Sequence, residues 1–154
     1  MHRLLLTTLL SFLLLSCEKE NTIKSLLTQQ EIWDCHHNEN WDSNSTFDYL
    51  IGEWQWIYAE NNWHPDNGLE TQSANYFIKF NRDSSLIIRK NDKQFGSTRW
   101  ELEFNETELL YQFKLDSQIT NLYGRILICN NIMECNHSYI DGSDNYFLKI
   151  IPLD

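Results

Sequence analysis

Residues 95–104 read Phe95-Gly96-Ser97-Thr98-Arg99-Trp100-Glu101-Leu102-Glu103-Phe104, and their second half alternates strictly between large apolar and charged side chains. Trp100, Leu102 and Phe104 fall on one side of an extended chain, and Arg99, Glu101 and Glu103 on the other. A period of two is the mark of a strand with one buried face. The pattern recurs in both directions along the chain. Gly52 to Glu60 opposes Trp54, Trp56 and Tyr58 to Glu53 and Gln55, and Ala74 to Asn81 opposes Tyr76, Ile78 and Phe80 to Lys79. Leu109 to Leu115 opposes Tyr111 and Phe113 to Gln112 and Lys114. Ser85 to Lys90, Thr120 to Cys129, Ile132 to Tyr139 and Asn145 to Ile151 complete a set of eight, joined mostly by Asn-, Asp-, Ser- and Gly-containing turns. Asn61 to Ser73 is read as a longer polar loop. No helical pattern intervenes between strands, so the sheet must be antiparallel. Eight such strands form either a sandwich or a barrel. The evenly spaced hairpins and the removal of both exposed edges favour an all-β fold, an eight-stranded antiparallel up-and-down barrel, over a Greek-key sandwich.

Upstream, Lys24 to Asp34 places Leu26, Leu27, Gln30 and Trp33 at helical offsets, which predicts a short helix. His36 to Asp48 is polar and rich in Asn and Ser, which predicts a loop. The composition is globular, with 14% aromatic residues but only 5 Gly and 2 Pro. The formal net charge of -10 repels phosphate backbones, so nucleic acid is not expected as a partner.

The first 17 residues, MHRLLLTTLLSFLLLSC, pair a basic Arg3 with a mostly apolar stretch from Leu4 to Leu15. That stretch is too short to span about 30 Å of hydrocarbon as a helix and has the build of a cleaved signal segment. Leu14-Leu15-Ser16-Cys17 resembles the bacterial lipobox, in which the cysteine takes a diacylglycerol thioether and becomes the new N-terminus. The resemblance implies a signal peptide over 1–16, a lipidated tether over 17–22, a helix and loop over 23–48 and a barrel over 49–154. The charged Glu18-Lys19-Glu20 that follows resembles lipoprotein export signals of Bacteroidetes. The expected location is therefore the outer membrane, in either leaflet, with the membrane engaged through acyl chains of the palmitate type. With Cys17 lipidated, Cys35, Cys129 and Cys135 remain for an oxidising compartment. A bridge between Cys129 and Cys135 across the intervening turn is one candidate. Cys35 reaching either of them is the other.

Three further stretches carry a second resemblance. Leu50-Ile51-Gly52-Glu53-Trp54, Ile78-Lys79-Phe80-Asn81-Arg82-Asp83-Ser84 and Asp141-Gly142-Ser143-Asp144-Asn145-Tyr146-Phe147-Leu148-Lys149 resemble the lipocalin-like lipoproteins of Bacteroidetes, over about residues 50–151. Gly52-x-Trp54 matches the Gly-x-Trp at the base of the lipocalin barrel. In that superfamily an Arg of the last strand packs over this Trp, and Lys149 is its counterpart here. A Lys stacks on the ring but lacks the planar fork of a guanidinium. The Thr-Asp-Tyr signature of the kernel lipocalins is absent.

The resemblance implies a small hydrophobic ligand inside the barrel. The residues expected to line its cavity are Trp56, Tyr58, Tyr76, Trp100 and Tyr111, with the mouth toward Tyr58 and the 61–73 loop. The alternative is a filled barrel that serves a structural or protein-interaction role, with Trp63, His64 and Pro65 as exposed anchors. No Gly-x-Ser-x-Gly, paired inward carboxylates or Gly-rich phosphate loop is present, so no catalytic residue and no cofactor is expected. Cys35-His36-His37, His64 and His137 lack metal-ligand spacing and are read as surface groups. Replacing Cys17 by Ser should move the protein from the membrane pellet to the soluble fraction and abolish labelling by palmitate. A Cys17→Ser protein that stays in the pellet and labels would contradict the lipobox reading.

Overall fold

In a computed structural model of the chain, residues 27–61, 69–71 and 75–152 are described, the 69–71 segment by its backbone alone. Cys17, the signal and tether segments, and Trp63, His64 and Pro65 lie outside the described residues. The chain forms two compact units, one through Glu31 and one from Ile32 onward. In the first, Thr28 and Glu31 cap a helix reciprocally: Thr28 Oγ1 accepts from the Glu31 N–H at 3.3 Å, and a Glu31 carboxylate oxygen accepts from the Thr28 N–H at 2.6 Å.

That helix, α1, spans Gln29–Asn38, starting and ending later than the helical offsets predict. A second helix, α2, spans Ser43–Leu50 inside the stretch expected to be loop. Its start is fixed by a capping box. Asp42 Oδ1 accepts from the Ser45 N–H at 2.7 Å, while Ser45 Oγ accepts from the Asp42 N–H at 2.9 Å. Its last carbonyl, that of Leu50, accepts from the Trp54 indole N–H at 2.8 Å.

The remainder is sheet: β1 (Gly52–Glu60), β2 (Leu69–Thr71), β3 (Tyr76–Phe80), β4 (Ser85–Lys90), β5 (Lys93–Asn105), β6 (Leu110–Leu115), β7 (Arg125–Cys129), β8 (Ile132–Asn136) and β9 (Asp144–Ile150). All pairings are antiparallel and run in chain order from β3 to β9, and β9 returns to β1 to close the ring. The result is the closed eight-stranded up-and-down barrel that the alternation predicts. The three-residue β2 is extra; it pairs Tyr58 to Glu60 of β1 beyond the end of β3.

Two expected strands are shorter than their apolar pattern. Thr120–Leu122 is a 3-10 turn, and β7 begins only after Gly124, whose φ is +97°. A Cβ there would sit 1.9 Å from the Asn136 carbonyl oxygen, so the chain approaches β8 too closely for any other residue. Likewise β8 stops at Asn136, and Ser138–Ile140 turns as 3-10. The β4–β5 hairpin is tight: Asn91 and Asp92 both hold positive φ, as a two-residue turn between twisted strands requires.

The core is one cluster along the barrel axis. Trp54, Ile78, Phe80, Leu86 and Trp100 are fully buried beside Leu50 of α2, and Phe47 of α2 stacks on Trp100 at 4.9 Å. Ile119 and Leu122, from the connection between β6 and β7, enter the same cluster. Trp100 also meets Phe80 and Phe113 edge-on, at 5.0 and 6.2 Å. Truncating Trp100 to Ala should cost about 3–5 kcal/mol of stability in urea unfolding. Glu101→Ala, next to it on the exposed face, should cost about 0.5 kcal/mol or less.

Candidate functional site

The five residues expected to line a cavity divide into three groups. Trp100 is 0% exposed and Trp56 3%, both within the core cluster. The Trp56 indole N–H donates to Asn145 Oδ1 at 2.9 Å, and the Asn145 amide in turn donates to the Ser143 carbonyl at 3.0 Å. Tyr76 and Tyr111 are half-buried against the same cluster. Tyr58 is not an interior residue. The β1–β9 register shifts between Trp56 and Tyr58, so Ile57 is a bulge and the alternation restarts with Ala59 inward. Phe104, also expected inside, is 45% exposed and meets Tyr111 near the β5–β6 hairpin.

Tyr58 lies outside the barrel, stacked on Tyr146 with ring centroids 4.3 Å apart. Glu134 pairs across from Tyr146, and Asp144 pairs across from Glu60. Glu134 and Asp144 are fully buried. Asn136 donates to Glu134 at 3.0 Å, and Asp144 accepts the N–H groups of His137 and Ser138 at 2.7 and 2.8 Å. Burial, then the carboxylates of Glu60 and Glu134, pushes the Tyr58 phenol up to about 12. Burial and Glu134 push Tyr146 further in the same direction. Both phenols are therefore neutral at any physiological pH and pack as stacked rings.

The cysteines resolve in favour of Cys35. Cys35 of α1 and Cys129 of β7 form the disulfide, across 94 residues of sequence. Cys129 and Cys135 cannot meet because they occupy opposite faces of the β7–β8 hairpin. Cys135 pairs across from Ile126 and points into the barrel, whereas Cys129 pairs across from Ile132 on the outer face. Cys135 is a free, fully buried thiol, and burial raises its pKa well above the usual value.

His36, expected at the surface, is buried beside this disulfide. Its Nδ1 accepts the Ile128 N–H at 2.9 Å. His37, on the exposed side, places Nδ1 2.8 Å from the Trp33 carbonyl. His64 lies outside the described residues. Among the described residues no three His, Cys, Asp or Glu side chains converge as metal ligands.

At the base of β1, Gly52 holds φ +124°, a conformation open to glycine. Lys149 stands over Trp54 at 5.3 Å and over Tyr49 at 4.1 Å, and its Nζ donates to the Tyr49 carbonyl. The last-strand cation therefore covers this Trp, as expected for Lys149. Burial lowers the Lys149 pKa.

No family model, curated protein or solved structure matches this chain. What the site can do must therefore be read from its geometry. Two grooves formed by described residues lie outside the barrel. One of about 730 Å³ lies against β1, β3, β4 and the end of β9. A smaller one of about 300 Å³ lies between Trp41, Tyr49 and the Asn130-Asn131 turn.

The buried imidazole makes the fold sensitive to acid. Burial, opposed by the Ile128 carbonyl 3.3 Å from Nδ1 and joined by the nearby His37, lowers the His36 pKa from 6.5 to about 4. Between those values the unfolded chain takes up a proton that the native protein refuses, so stability is complete above pH 6.5 and declines as pH falls toward 4. Urea unfolding at about pH 7 and about pH 4.5 should show wild type losing on the order of 2 kcal/mol more than His36→Gln. Equal losses would exclude His36 as the titrating group.

Proposed function

We propose that this chain is an exported, lipid-anchored lipoprotein whose barrel is a filled scaffold, with its binding surface on the outside. The reading rests first on the interior. Trp56 is 3% exposed and hydrogen-bonded to Asn145, so it occupies the space where a ligand would sit. Trp100, Phe80 and Trp54 fill the α2 end of the same interior, and Ile119 and Leu122 pack into the cluster from the β6–β7 connection. Ligand cavities of 300–1,000 Å³ require side chains held back from the axis, and here large rings meet across it. A barrel of eight strands has just enough room for its own side chains when these are large.

The export half rests on Leu14-Leu15-Ser16-Cys17 and is supported by the Cys35–Cys129 disulfide. Such a bridge persists in an oxidising compartment and is rare in a reducing one. In that compartment a solid, acidic barrel on a lipid anchor holds a surface at a fixed distance from the bilayer.

Cys135 offers a direct test, because it is a free thiol facing the barrel interior. A small uncharged thiol reagent should react with native protein only at the rate of global unfolding, and the rate should rise with urea as stability falls. Rapid stoichiometric labelling of the native protein, slowed by an apolar ligand such as retinol, would show a cavity and refute the filled interior.

A further inference from the structure

The larger of the two grooves combines an apolar floor with basic side chains. Its base is a row of directly opposed residues on four neighbouring strands: Ile150 of β9, Glu53 of β1, Lys79 of β3 and Ile87 of β4. Because opposed residues share a face, all four project outward. Ile51, just before β1, and Ile151, 69% exposed, extend the apolar part. Lys79, Arg89 and Lys149 supply the charge.

The charge balance here is opposite to that of the chain. The protein carries 22 acidic and 12 basic side chains. The groove gathers three of the bases against one acid, Glu53, which is already engaged with Arg89. Lys149 is held by the Tyr49 carbonyl and lies over two rings. Lys79 is exposed and has no ion-pair partner among the described residues. The result is an apolar trough with an uncompensated cation on its wall, within a molecule that otherwise repels anions.

We infer that this groove binds a free long-chain fatty acid, with the carboxylate at Lys79 and the acyl chain along Ile87, Ile51, Ile150 and Ile151. A volume of about 730 Å³ suits one small amphiphile, and a concave site encloses a single molecule better than it meets a flat bilayer. An extended peptide docking by strand addition would need an unpaired edge. The segments of β1 and β3 that floor the groove are paired on both sides. The inference goes beyond the filled-scaffold reading, since it places a ligand on a surface that reading leaves unassigned.

The test is isothermal titration of sodium oleate, below its aggregation limit, into the full chain carrying Cys17→Ser, so that neither a bound acyl chain nor detergent competes. One-to-one saturable binding is expected, weakened at least about tenfold by Lys79→Glu and largely retained by Lys79→Arg. Methyl oleate, which lacks the charge, should bind at least about tenfold more weakly than oleate. Absence of oleate binding, or equal binding by wild type and Lys79→Glu, overturns the inference and leaves the scaffold reading intact. Binding that Trp56→Ala abolishes and Lys79→Glu does not would place the ligand inside the barrel and overturn both. Lys79-dependent sedimentation with phosphatidylglycerol vesicles, without oleate binding, would assign the groove to a membrane surface and overturn the fatty-acid inference.

Discussion

A closed barrel has no edge, and every amide along its wall needs an acceptor. In this chain the wall is weakest between β6 and β7, where pairing covers only Tyr111 with Ile126 and Gln112 with Arg125. Extending that register would set Ile128 opposite Leu109. There the chain is already turning, with Leu109 at φ +56° and its N–H bonded to the Asn105 carbonyl at 2.8 Å. Ile128 is therefore left facing a position where no strand runs. The His36 imidazole takes that place, accepting the orphaned N–H, and the neighbouring Cys35–Cys129 bridge holds it there. Leaving such a buried donor unpaired costs about 1–3 kcal/mol, so α1 belongs to the barrel wall as much as any strand.

That repair explains why the chain before Gly52 is helical. α1 brings the disulfide and the imidazole to β7, and α2 returns the chain to the start of β1 with Phe47 on Trp100 and Leu50 in the core. An ion pair strengthens the same seam from the other side. Arg125 of β7 meets Glu108 of the β5–β6 turn at 2.7 and 2.8 Å while lying 3.6 Å from the centre of the Tyr139 ring. Both charged groups are largely withdrawn from solvent, where such a pair is screened less than on the open surface.

The barrel was legible wherever a single rule governed. Trp100, Leu102 and Phe104 alternate because one face of β5 turns inward, and the pattern needs no tertiary knowledge to read. Gly52, Trp54 and Lys149 were legible as a set, since the glycine's backbone freedom and the ring-covering cation have direct physical roles. The failures occur where a second interaction overrides the first. Tyr58 fits the alternation but follows a bulge at Ile57, which reverses every side chain after it. His36 to Asp48 is polar in composition, yet Asp42 and Ser45 use that polarity to start a helix. The spacing of Thr46, Phe47 and Leu50 was the available signal, with Trp41 just before the cap. In β7, the unbroken run Ile126-Leu127-Ile128-Cys129 marks burial on both faces, which alternation alone does not register. The role of His36 had no local signal, because it depends on an amide 92 residues away.

The same two-layer logic bears on function. A barrel that is to hold a ligand keeps its axis clear and closes its wall with strands. This one stacks Phe80 of β3 on Phe113 of β6 across its interior and closes its wall with a helix, a disulfide and a buried histidine. On the outer face, side chains that the core pattern leaves free are grouped by strand register. Glu53, Lys79 and Ile87 lie side by side because β1, β3 and β4 pair as they do. Glu134, Tyr146 and Tyr58 gather on another part of that face through the register of β8, β9 and β1. In the first group Lys79 is exposed and Glu53 is already paired with Arg89, whereas in the second Glu134 and Tyr146 are buried. Of these two groups, the one beside Lys79 presents a charge to solvent, which is what the fatty-acid inference uses.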